Sequence, residues 1–352
     1  MNIFDIYFNF KTNVNKKLGL FNNIPNISYA GSSYITDYSS VAAVMTACKI
    51  LSENISRVPI NIVKDGQKHK HYLNKILNKK PNKFQNANKF WGELEYHRNY
   101  YGNAFAKIER NKNTGRVKQL VTIHPNSVEG FKILNNNIYI VVNTGSKRES
   151  INYSEILHFT TNLYQEGSIF TYSPLKSVAN SASIIQKAGD TINSFYSNHA
   201  VSPMTLESEI PNNSQIKELR AAAEDIKDRY SGTYNAGGII PLPPNMKLKS
   251  LSSSFVDAQL IETMKFSRAE IASIYNIPLY KLDGYATNND SRIEEQTLEF
   301  RSNTVAPILD IYKNELEFKL LTERDIDQEV EITYNTDVLV SADLKTLTNS
   351  LA

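Results

Sequence analysis

The sequence predicts an α+β fold, and three observations carry that reading. Apolar residues recur at helical spacing from Leu175 through Val178, Ala182, Ile185, Ala188, Ile192 and Phe195 to His199. A second long stripe, Ile261, Met264, Arg268, Ile271 and Tyr275, lies beyond an insert at 203–250. Upstream of both, from Gly102, the period shifts to two, and short strand patterns alternate with turn residues.

Residues 1–40 are polar and irregular and read as an N-terminal arm. A helix follows with Ser39 or Ser40 as N-cap and Val41, Val44, Cys48, Leu51 and Ile55 on one face. The one cysteine, Cys48, reads as a small core residue, which suits a reducing cytoplasm. A strand at 58–63 ends at the turn Asp65-Gly66. Two helical patterns within 73–101 are divided at Lys80-Pro81-Asn82, and His97 falls on the apolar face of the second as a core-edge residue. Ala104, Ala106 and Ile108 open the β region, with further strands near 117–123, 128–133, 138–142 and 155–159.

The first long helix begins with Ser173 as N-cap and Pro174 at N1 and runs to about residue 200, a shaft of roughly 39 Å. The insert reads as strand, charged helix (214–230), glycine turn at Asn235-Ala236-Gly237-Gly238, then two short strands at Ile239-Ile240 and Met246-Lys247-Leu248. A capping box at Ser254 and Asp257 starts the second long helix, which Asn276-Ile277-Pro278 stops. A polar loop, 279–290, leads to a third helix capped by Ser291 and Glu294, kinked by Pro307 and ending near Leu321. Residues 330–340 alternate like a strand, and 341–352 read as the start of another helix.

Much chemistry is excluded. No phosphate-binding loop, dinucleotide fingerprint or nucleophile elbow occurs, so no cofactor is expected. His69 and His71 lack further ligands for a metal. Asp290, Glu294, Glu295 and Glu299 resemble a carboxylate set, and Glu295 and Glu299 share a helix face. First-turn acids nonetheless favour the helix dipole without any catalysis. No segment has the basic start and apolar run of a signal peptide, or the roughly 18 apolar residues of a membrane span. A net charge of +3 argues against tight wrapping of duplex DNA and against a monomeric nucleic-acid-binding module.

Five pieces resemble the portal protein family of long-tailed bacteriophages. They are Tyr100-Tyr101-Gly102-Asn103-Ala104-Phe105-Ala106; His158 with Gly167-Ser168 and Tyr172-Ser173-Pro174-Leu175; Gly237-Gly238-Ile239-Ile240-Pro241-Leu242 with Asn245-Met246-Lys247; Phe255 to Glu262 with Ile271-Ala272 and Ile274-Tyr275-Asn276-Ile277-Pro278; and Ser291 to Phe300 with Pro307. Their order and spacing span residues 41–345. The resemblance implies a mixed α/β wing (41–172 and 291–338), two stem helices (173–202 and 251–278), a clip (203–250), a tunnel loop (279–290) and a crown start (339–352), shorter than the family's usual crown.

It also implies a non-enzymatic subunit of a homo-oligomeric ring, typically a dodecamer, at one capsid vertex. The ring would carry double-stranded DNA in and out and would be assembled in the host cytoplasm. Implied partners are the terminase large subunit as packaging motor, a head-tail adaptor, and the major capsid or scaffolding protein, with no membrane. Tyr280, Lys281, Tyr285, Asn288 and Asn289 are the expected DNA-touching tunnel residues. Arg220, Lys227 and Arg229 are the expected motor- or adaptor-docking residues. The competing readings are a metal-dependent nuclease using Glu295 and Glu299, or another virion structural protein.

Overall fold

A computed structural model describes residues 41–197, 204–208, 246–250, 254–283 and 290–336, with the helical positions 220, 221, 224, 338 and 339. The N-terminal arm, the Ser39/Ser40 cap and most of the charged insert helix lie outside these residues. The chain forms two compact units, divided at 36/37, 45/46, 177/178 and 286/287.

In the first unit, α1 (Ala42–Arg57), whose first turn belongs to the second, buries Ala47, Cys48, Leu51 and Ile55 along one stripe, the face its sequence period predicts. The chain then forms β1 (Ile60–Lys64), turns at Asp65 and Gly66, both at positive φ, and returns as β2 (Gln67–Lys68). The other edge of β1 takes β11 (Val330–Tyr334) antiparallel, with Ile62 opposite Ile332. Helices α2 (Leu73–Asn78) and α3 (Ala87–Tyr101) break where Pro81 removes a donor. Asn86 caps α3 by accepting from Lys89 N at 2.8 Å. Trp91, inside α3, donates its indole N–H to Leu77 O at 2.8 Å and so fastens α3 to α2.

Alternation then gives two three-stranded sheets. In one, β3 (Asn103–Arg110) lies between β4 (Val117–Ile123) and β8 (Ile156–Thr160); in the other, β6 (Asn137–Asn143) lies between β5 (Val128–Leu134) and β7 (Arg148–Asn152). Phe105, Val128, Ile140, Ile151, Ile156 and Phe170 form the core they share. Each such side chain withdrawn from water contributes about 1.5–3 kcal/mol. The strand β7 was not expected, because Arg148-Glu149-Ser150 carries no apolar alternation. It is an edge strand, and only Ile151 of its five residues is buried.

The third helix is two helices. After α7 (Asp290–Phe300), residues Arg301–Val305 form a π-turn, and α8 (Ala306–Leu320) follows. Pro307 cannot donate, and the ladder re-registers just ahead of it: Ala306 N donates to Arg301 O, five residues back. The expected kink is therefore a π-bulge. A short helix, α9 (Glu323–Asp327), closes with a capping box between Thr322 and Asp325.

In the second unit, α4 (Pro174–Ser197), which begins in the first, is about 36 Å long by its 24 residues. The strands β9 (Met204–Ser208) and β10 (Met246–Ser250) pair antiparallel, Leu206 opposite Leu248. Helix α5 (Ser254–Ile274) ends with Asn276 at φ 51° and Ile277 N donating to Ala272 O, so the left-handed asparagine stops the helix before Pro278 does. Ser181 of α4 donates to the Glu270 carboxylate of α5. The expected loop at 279–290 is corrected at its start: Leu279–Asp283 form α6, begun when Lys281 N donates to Pro278 O at 3.0 Å. Proline's fixed φ suits the first turn of a helix.

Candidate functional site

Two of the five sequence pieces converge on one buried junction, where α4 leaves the β3 sheet. Gly102 ends α3 with φ 83°, a left-handed C-cap that glycine adopts without strain. A Cβ there would meet Tyr172 O at 2.5 Å and Ser173 N at 2.7 Å. Glycine is therefore required twice, by conformation and by the close approach of the 172–173 peptide.

Next to it, Asn103 is wholly buried. Its Nδ2 donates to Thr171 O at 2.8 Å and its Oδ1 accepts from Thr171 N at 3.0 Å. The asparagine side chain thus pairs with both backbone polar groups of Thr171. Thr171 Oγ1 donates to Gly102 O at 2.7 Å, and Thr161 Oγ1 donates to Tyr172 O at 3.1 Å. Ser173 Oγ donates to Tyr100 O and accepts from Leu175 N, capping α4 and tying its first turn to the end of α3.

His158 completes the junction from β8. Burial pushes its pKa down to about 3, with Lys319 adding to the shift, so the ring is neutral. It stacks on Phe105 with centroids 4.5 Å apart.

A second polar cluster locks α8 to the sheet. Lys319 Nζ meets Glu315 Oε1 at 2.6 Å, donates to Ile156 O at 2.6 Å and lies 3.7 Å from the Tyr153 ring centroid. Glu315 also accepts from His158 N at 2.7 Å. Burial raises the Glu315 pKa and lowers that of Lys319, while each partner opposes the shift of the other. Deeper still, Glu95 accepts from Arg98 through both oxygens at 2.9 and 2.7 Å, from Asn99 at 2.8 Å and from Tyr312 OH at 2.9 Å. Burial and the Glu95 charge hold the Tyr312 phenol well above its ordinary pKa. Sequence reading missed this cluster; its only signal was acid and base at i, i+3, which surface helices show as often.

These groups are held by protein partners, and the bonds fix the geometry of the junction. The expected site residues lie elsewhere. Tyr280 and Lys281 are half-buried on α6, with Lys281 Nζ 5.3 Å from the Tyr280 ring centroid. Arg220 is an exposed helical residue. Tyr285, Asn288, Asn289, Lys227 and Arg229 lie outside the described residues. Glu295 and Glu299 are exposed on α7, and among the described residues no three His, Cys, Asp or Glu gather as a metal site. Cys48 and His97 are buried, as read.

Comparison with known proteins places this architecture. The model of the family described as phage portal protein matches residues 42–352. The portal protein of Enterobacteria phage HK97 is 22% identical over 330 residues, which cover 90% of this chain and 75% of that protein. An HK97-family phage portal protein from Corynebacterium diphtheriae aligns with a TM-score of 0.60 at 13% identity, covering 89% of this chain and 98% of that one. A chain from the neck of a native gene transfer agent particle, computed with C12 symmetry, gives 0.59 at 16% identity over 95% and 93%. The family match takes in nearly every described residue, and this chain belongs to the phage portal protein family.

Proposed function

We propose that this portal subunit is a passive wall of the DNA conduit, with light DNA contact on one segment and a docking surface on another. As a portal protein it is one subunit of a ring at a capsid vertex, the passage for DNA packaging and ejection, and it is structural rather than enzymatic. The family match over residues 42–352 carries that conclusion.

The finer reading is ours. Residues 41–172 and 291–338 form a wing, 173–202 and 251–278 the stem helices, 203–250 the clip, 279–290 the tunnel loop and 339–352 the crown start. Supporting it are the 24 residues of α4 and 21 of α5, which flank in sequence the antiparallel strand pair β9 and β10. The ring is a dodecamer in this reading, supported by the C12 symmetry of the related neck. Tyr280, Lys281, Tyr285, Asn288 and Asn289 touch the phosphate backbone without gripping it. Weak contact suits translocation, since each phosphate neutralised by a cation adds affinity that sliding must break. Arg220, Lys227 and Arg229 face the packaging motor, then the tail adaptor, and the wing faces the shell or scaffold. Assembly takes place in the host cytoplasm.

Size-exclusion chromatography with light scattering tests the assembly. Twelve copies of a 39.9 kDa chain give about 480 kDa, and a single species near 40 kDa at every concentration would contradict it.

A further inference from the structure

Residues 64–89 hold eight lysines, two histidines and one acid, Asp65. With neutral histidines that segment is +7 inside a chain of +3, so the rest of the chain sums to −4. Four of these lysines, Lys79, Lys80, Lys83 and Lys89, lie in the loop between α2 and α3 or in the first turn of α3. Lys79, Lys80 and Lys83 are exposed there, and no described carboxylate forms an ion pair with any of them. Between Lys83 and Gln85 stands Phe84, 91% exposed.

This loop is fixed. Asn82 is buried; its Oδ1 accepts from Phe84 N and Gln85 N, both at 2.9 Å, and its Nδ2 donates to Leu120 O at 3.0 Å and Gln85 Oε1 at 2.8 Å. Pro81 O accepts from Leu120 N at 2.9 Å. Gln85 Nε2 donates to the Glu93 carboxylate of α3. The backbone is therefore pinned on both sides of Phe84, and the ring is offered to solvent from a rigid base. An aromatic held this way loses little further conformational freedom when it enters a partner.

We propose that this loop is a docking knob for an acidic segment of another protein, with Phe84 seated among the partner's apolar side chains and Lys79, Lys80 and Lys83 meeting its carboxylates. Charge complementarity selects the occupant. Duplex DNA would satisfy the lysines, but its phosphate backbone gives Phe84 no apolar surface, and stacking needs unpaired bases. An acidic protein segment with apolar residues satisfies both, in the pattern of an aromatic anchor ringed by charge. The knob itself does not depend on the portal reading. In a ring, each copy would present one, so a weak single contact would gain through avidity.

The test is fluorescence anisotropy with the full chain and three labelled probes: a peptide of Glu-Glu-Leu repeats, one of Glu-Glu-Ser repeats, and a short DNA duplex. The chain should bind the leucine peptide about tenfold tighter than the serine peptide. Phe84→Ala should erase that difference, and the triple variant Lys79→Glu, Lys80→Glu, Lys83→Glu should lose both peptides. If Phe84→Ala binds the leucine peptide as tightly as the parent, the proposal is wrong. Duplex binding that exceeds both peptides and ignores Phe84→Ala would instead make this a nucleic-acid surface. Electron micrographs of the same samples report ring formation separately, so loss of rings with the peptide preference intact counts against the portal reading alone.

Discussion

The side chains of Asn103 and His158, 55 positions apart, meet at 3.1 Å, Oδ1 to Nε2. Asn103 Nδ2 donates to Thr171 O, so the oxygen facing His158 is an acceptor and Nε2 must carry the proton. His158 Nδ1 is then the acceptor for Tyr153 OH, 3.1 Å away. A neutral histidine with a fixed tautomer thus links β8, β3 and the segment that launches α4.

Asn103→Leu removes the partner of both Thr171 backbone groups and of His158 Nε2 in a buried site. Each orphaned group costs about 1–3 kcal/mol. The melting temperature should fall by several degrees, read by differential scanning fluorimetry. A melt unchanged from the parent would mean that the junction carries no stability.

Gly102→Ala faces both a positive φ and a clash at 2.5 Å with Tyr172 O. The expected loss exceeds about 2 kcal/mol. Gly66→Ala, at φ 72° but in open space, should cost only about 1–2 kcal/mol, the left-handed penalty alone. Equal losses in urea titrations of the two variants would show that the close approach is unimportant.

The sequence made this junction legible in part. Gly102, Asn103, His158 and Ser173 all stood in the pieces resembling a family, and the Ser173 cap follows from local propensity, whereas the helix stop read from Pro278 is made by Asn276. Long-range partners stayed hidden, because Glu95 with Tyr312 and Glu315 with His158 N are separated by 217 and 157 positions. The π-turn before Pro307 was foreseen only as a kink, since proline dictates a missing donor and the neighbouring carbonyls decide how the ladder adapts. Of the residues proposed for the tunnel and the clip, only the helical positions Tyr280, Lys281 and Arg220 are described. Their roles depend on a ring that one chain does not contain.

Glu95→Ala should cost about 3–5 kcal/mol, because it leaves the Arg98 charge buried and unpaired. Tyr312→Phe removes only one donor to that carboxylate and should cost about 1.5–3 kcal/mol. Chemical denaturation of both gives the comparison; a Tyr312→Phe loss as large as that of Glu95→Ala would contradict it.

Acid should loosen the first unit through its histidines. Burial lowers the His97 pKa to about 4, with His124 adding to the shift, and lowers the His158 pKa to about 3. Both folded values lie below the ordinary 6.5, so the unfolded chain binds more protons between them. Stability is therefore full above about pH 6.5 and falls as pH drops, by up to about 1.4 kcal/mol per unit per histidine. Among the described residues His97 Nδ1 has no hydrogen-bond partner. His97→Phe should accordingly gain stability relative to the parent at pH 5 and change little at pH 7.5. Parallel pH profiles for the two proteins would rule this out.

Replacing residues 279–290 with a Gly-Ser linker should impair packaging or DNA retention. Unchanged values for both in a packaging assay would remove the loop from the DNA path. Charge reversal at Arg220, Lys227 and Arg229 should weaken motor binding several-fold while rings persist. Loss of rings instead would place these residues between subunits.

Electron microscopy of the purified full chain tests the central claim most directly. Closed rings with a central hole wide enough for duplex DNA are the predicted result. Uniform single-chain particles at every concentration and salt tried would contradict it.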